Sequence, residues 1–80
     1  MNIKEVADIS DVADTNQTFI FSDGTELKPG DLCLILGLTS RWERAIYLGG
    51  VTGLQAHNQG IFQYKKSGEI IRRGRRWVKI

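Results

Sequence analysis

The sequence predicts an all-β fold, a small antiparallel barrel of five or six short strands, and three observations carry that prediction. β-branched and aromatic residues gather in short runs, glycine-bearing turn pairs separate those runs, and no sustained helical periodicity connects them. At 80 residues the chain has room for one hydrophobic core, so residues 1–80 are expected to form a single domain. Closure into a barrel is the expected architecture because it limits unpaired edges in so small a sheet.

The first apolar positions, Ile3, Val6, Ala7 and Ile9 to Val12, match one face of a short helix and also an irregular strand. Their β-branched content and the lack of a clear N-cap favour a strand. Thr18-Phe19-Ile20-Phe21 is a second strand, and Asp23-Gly24 after it has the chemistry of a tight turn. Lys28-Pro29-Gly30-Asp31 is another turn: proline presets φ at the first central position, and glycine suits the second central position of type II. Leu32-Cys33-Leu34-Ile35-Leu36 is apolar at every position, the pattern of a strand covered on both faces, so it is expected at the centre of the core. The turn Leu27 to Asp31, leading straight into that apolar strand, resembles the turns of SH3-like small barrels. The resemblance covers about five residues and implies a fold of that kind, with nothing about activity.

Arg44 to Leu48 reads as the next strand, ended by Gly49-Gly50, and residues 51–60 read as a polar loop carrying His57 among amide side chains. Ile61 to Lys66, Glu69 to Arg72 and Arg75 to Ile80 then alternate with Ser67-Gly68 and Arg73-Gly74, the signature of a C-terminal β-meander.

Several functional classes are disfavoured. The longest apolar run is five residues, far short of a membrane span, and the N-terminus lacks the basic-then-apolar order of a signal peptide, so a cytoplasmic protein with no membrane partner is expected. Cys33 is the only cysteine, which leaves no intrachain disulfide and no zinc site built on paired thiolates. It lies in the most apolar run and reads as core. His57 has no acid, thiol or second histidine beside it, Ser22 and Ser40 lack a neighbouring base, and neither glycine-rich phosphate fingerprint occurs. A non-enzymatic binding module without metal or cofactor is expected. With burial alone to stabilise it, a chain of this size also invites a homo-oligomer.

Charge gives the positive signal. The formal +2 hides a net −5 over residues 1–40 and +7 over residues 41–80. Arg72, Arg73, Arg75 and Arg76 flank Gly74 and read as a basic hairpin, with Lys65 and Lys66 on the neighbouring strand and Lys79 beyond. Guanidinium groups offer planar forks of donors to phosphate or carboxylate, so the expected partner is the phosphate backbone of nucleic acid or an acidic protein surface. Solvation of an edge, or pairing with the acidic half, would account for the same residues. Trp42, between Arg41 and Arg44, is the aromatic expected to be exposed, whereas Phe62 and Trp77 are expected in the core. The near-neutral total charge and the basic rim of Trp42 motivate a second reading, a regulatory or inhibitory accessory protein that docks on a larger complex without touching nucleic acid. The loop from Thr52 to Gly60 fits a recognition loop or a plain solvated connection.

Overall fold

A computed structural model describes residues 7–37, 40–51 and 59–80. It is all-β, and among the described residues no helix is long and apolar enough to cross a membrane. Strands β1 (Phe19–Ile20) and β2 (Glu26–Leu27) form a two-stranded antiparallel hairpin. Strands β3 (Leu32–Leu36), β4 (Trp42–Gly50), β5 (Gln59–Tyr64), β6 (Ile70–Gly74) and β7 (Val78–Lys79) form a five-stranded antiparallel sheet in the order β6-β5-β4-β3-β7. Short 3-10 turns cover Ile9–Asp11 and Arg75–Trp77.

Both predicted turns in the first half form, and their acids help to build them. The Asp23 carboxylate accepts the Thr25 N–H at 2.9 Å inside the β1–β2 hairpin, where the Gly24 N–H also donates to the Phe21 carbonyl. In the next turn the Asp31 N–H donates to the Lys28 carbonyl at 2.9 Å, with Gly30 at φ +100° as type II requires. The Asp31 carboxylate accepts the Lys28 N–H at 2.8 Å and locks the same turn from its other end. Asp14 accepts the Asn16 N–H and Asp11 the Asp8 N–H in like manner. The acidity of the first half is thus largely a property of its turns.

The same chemistry explains why residues 9–11 are not a strand. With Asp8 and Asp11 satisfying local backbone donors, the chain closes a 3-10 turn instead of offering its N–H groups to a ladder. Positions 3–6 of that expected strand lie outside the described residues.

The core is one face of the large sheet covered by the small hairpin. Cys33 and Ile35 from β3, Ala45 and Tyr47 from β4, Phe62 and Tyr64 from β5, Ile71 and Val78 meet Phe19 and Leu27. The Phe19 ring packs against Phe21, Tyr47 and Phe62 with centroids 5.3, 5.6 and 5.4 Å away, in edge-on and tilted geometries that suit aromatic quadrupoles. Strand β3 is not covered on both faces as its composition suggested. Its burial alternates, with Cys33 and Ile35 inward and Leu32 on the opposite face at 54% exposure.

Strand β4 runs from Trp42 through Gly50, starting two residues earlier than expected and taking in the two glycines with which it ends. A bulge separates Tyr47 from Gly49, whose φ is +152° and whose missing side chain leaves room for the Asp14 carbonyl. The Gly50 N–H donates to that carbonyl at 2.9 Å while the Ala13 N–H donates to the Gly50 carbonyl. These glycines therefore mark where the N-terminal segment crosses the sheet.

The C-terminal meander holds only as far as β6. Arg73-Gly74 turns no hairpin: Gly74 stays in β6 opposite Gln59, and after the 3-10 turn β7 pairs with β3 through Leu34↔Lys79 and Ile35↔Val78. Crossing to β3 buries Val78 and pairs an edge that a hairpin back along β6 would leave open.

Candidate binding surface

The strand register builds the outer face of the sheet row by row. Leu34 stands between Arg44 of β4 and Lys79 of β7, and in the next row Leu36 stands opposite Trp42. Because Tyr64 pairs with Ala45, the chain leaving β5 sets Lys65 beside Arg44, and the Lys65 N–H donates to the Arg44 carbonyl at 3.1 Å. The turn that follows is held by the Gly68 N–H on the Tyr64 carbonyl, the Gln63 Nε2 on the Gly68 carbonyl and the Glu69 N–H on the Ser67 Oγ. Gly68 supplies the left-handed residue at φ +78°.

These two elements enclose a groove of about 510 Å³ lined by Arg41, Trp42, Glu43, Arg44, Lys65 and Lys66. Four of the six are cations and one is an acid, so the groove carries a positive potential. Trp42 is 38% exposed in its wall. The Lys79 Nζ lies 4.3 Å from the centroid of the Trp42 ring, a cation–π contact made from the far side of β3.

Five of the residues singled out by sequence thus line one groove, Arg41, Trp42, Arg44, Lys65 and Lys66, and Lys79 touches its Trp42 from the cleft that it lines with Arg75. Lys65 and Lys66 do so from a turn and not from a strand beside the arginines. The four arginines around Gly74 do not converge with one another, because the hairpin that would gather them is absent. Arg72 is exposed on β6 opposite Ile61. Arg73 lines a cleft of about 310 Å³ with Leu36, Gly37, Ser40 and Trp77. Arg75 lines a different cleft of about 350 Å³ beside Phe21, Asp23 and Thr25, and Arg76 is exposed in the 3-10 turn.

Phe62 is fully buried, as expected, but Trp77 is 40% exposed. Trp77 closes the 3-10 turn Arg75–Trp77, and the buried place is taken by Val78, the first residue of β7. Cys33 is buried, its thiol donates to the Ala45 carbonyl at 3.6 Å, and burial with the nearby Asp31 charge pushes its pKa up to about 12. The neutral thiol is no nucleophile at physiological pH. Among the described residues no three His, Cys, Asp or Glu gather as metal ligands. His57 and most of the polar loop, residues 52–58, lie outside the described residues.

No protein-family model matches the chain, and no curated protein and no solved structure matches it either.

Proposed function

We propose that the protein is a single-domain, non-enzymatic binding module that contacts the phosphate backbone of nucleic acid through the groove of Arg41, Arg44, Lys65 and Lys66, with Lys79 on its rim. The observation that carries this reading is the convergence of four cations around a half-exposed tryptophan, with Glu43 the one acid in the lining. Guanidinium and ammonium groups at that density grip phosphate and release counterions, a contribution that carries no sequence information. A cytoplasmic setting suits the lone, buried Cys33.

An SH3-like small barrel is the finer fold we propose. Its support is the curl of the sheet: Gly37, at the end of β3, packs so closely on the Tyr64 hydroxyl of β5 that a side chain there would strike it, although β4 lies between those strands.

The test is fluorescence anisotropy with labelled mixed-sequence DNA and RNA over a salt series. Binding at low salt is expected to weaken with a log–log slope of roughly −3 to −4, the signature of about four neutralised phosphates. Replacing Arg41, Arg44, Lys65 and Lys66 together by alanine should abolish it. Absence of binding at low salt, or unchanged affinity in a folded quadruple variant, would sink the proposal.

One observation favours the second reading, docking on a larger protein complex. Leu32 is 54% exposed on the outer face, in the same row as half-buried Ile46, next to the basic groove. A partner that survives nuclease treatment and is lost in Leu32→Glu would shift the assignment to it.

A further inference from the structure

We infer that the nucleic acid taken by this groove is single-stranded, with one unpaired base stacked on Trp42 in the place that Lys79 holds in the free protein. The inference rests on reading the groove as a phosphate-binding surface, and it concerns which form of nucleic acid fits and which residue reads it. Trp42 opens β4 opposite Leu36, and Lys79 reaches it from β7, so the lysine stem crosses β3 to set its ammonium 4.3 Å from the ring centroid. A cation at that height marks a ring face that a flexible side chain covers and solvent can reach.

Magnitudes favour exchange. A cation–π contact at an exposed site is worth roughly 2- to 5-fold in an equilibrium constant. A base stacked on an aromatic ring is worth roughly 5- to 150-fold. The base displaces the ammonium, and the ammonium then meets the phosphate that arrives with the base.

The layout of the cations agrees. Lys79, Leu34 and Arg44 form one row across β7, β3 and β4, with Lys65 next to Arg44. Two inter-strand spacings separate Lys79 from Arg44, about 10 Å. The cations therefore track a chain that crosses the strands, with Trp42 one row to the side where a base can turn out. A duplex keeps its bases stacked inside and shows a protein only phosphates and groove edges. Reading those edges needs a projecting helix or ribbon, whereas Trp42 sits in the wall of a concavity.

The experiment uses the full chain carrying Trp77→Phe, so that Trp42 is the only indole; Trp77 is 40% exposed and outside the core cluster. Oligothymidine and a blunt hairpin duplex with the same number of phosphates are titrated, reading Trp42 emission and anisotropy. The single strand is expected to quench Trp42 and to bind about 10-fold or more tighter than the duplex. Trp42→Ala should lose most of that preference, and Trp42→Phe, which keeps an aromatic face and serves as the control for folding, should retain part of it. Equal affinity for both forms, or an unquenched Trp42 in the single-strand complex, overturns the inference while leaving the phosphate reading intact. No binding to either form at low salt overturns both.

Discussion

The Tyr47 hydroxyl donates a 2.8 Å hydrogen bond to the carbonyl of Gln17, thirty residues earlier in the chain. The Tyr47 ring is fully buried against Phe19 and Phe62, so this bond ties the segment before β1 to the centre of the sheet. Tyr47→Phe keeps the ring and removes the donor. A loss of about 1 to 1.5 kcal/mol in urea denaturation is expected, with an unchanged m-value.

Alkali should unfold the protein through two groups. Burial, helped by Asp31, pushes the Cys33 thiol from 9.0 to about 12, and burial, helped by Asp14, pushes the Tyr47 hydroxyl from 10.0 to about 12. The folded state keeps both protons at pH values where the unfolded chain has lost them. Stability is therefore full below pH 9.0 and declines as the pH rises towards 12, by about 1.4 kcal/mol per pH unit for each ionising group. Cys33→Ala should hold its urea midpoint flat until tyrosine begins to titrate. At the acid end, hydrogen bonds from the Thr25 backbone and hydroxyl hold the Asp23 carboxyl below its usual 3.8, so its contribution is present above that value and is lost as the pH falls through the lowered one.

Two glycines should fail for different reasons. Gly30 has open space around it, so Gly30→Ala meets only the cost of a left-handed backbone, about 1 to 2 kcal/mol. Gly37→Ala drives a methyl into the Tyr64 hydroxyl, and overpacking of that kind costs about 1 to 3 kcal/mol. Double-mutant cycles separate them: Tyr64→Phe should couple to Gly37→Ala by more than about 0.5 kcal/mol and be additive with Gly30→Ala.

Equal losses of charge should have unequal consequences for binding. Arg44→Gln with Lys65→Gln removes two cations from the groove, and Arg72→Gln with Arg76→Gln removes two from exposed positions on β6 and in the 3-10 turn beyond it. The first pair should flatten the salt dependence by about two units of slope, and the second should leave it nearly unchanged.

What the sequence made legible was local. Pro29-Gly30 and Asp23-Gly24 form turns from local chemistry, because proline presets φ, glycine accepts a positive φ, and the Asp23 and Asp31 carboxylates accept backbone N–H groups within the turns. Arg73-Gly74 has similar chemistry and remains strand, since its fate is decided by Gln59 across the ladder and by the burial site of Val78, both set elsewhere in the chain. Cys33 and Phe62 were readable as core from their apolar surroundings, whereas Leu32 was not readable as exposed, because which face of β3 is covered depends on where the β1–β2 hairpin docks. Trp42 with Arg41 and Arg44 was visible as a composition. That Lys65 joins it follows from the Ala45↔Tyr64 register, and that Lys79 joins it follows from β7 returning to β3.

The return of β7 to β3 also sets an order of events. During synthesis β3 can pair with β4 early, but its other edge stays unpaired until residues 78 and 79 have emerged, so this closing contact is also the most distant of the strand pairings in sequence. Lys79 arrives with that last contact. The cover on Trp42 and the far side of the cationic row exist only once β7 has paired with β3, and a nascent chain with the rest of its sheet in place would still lack both.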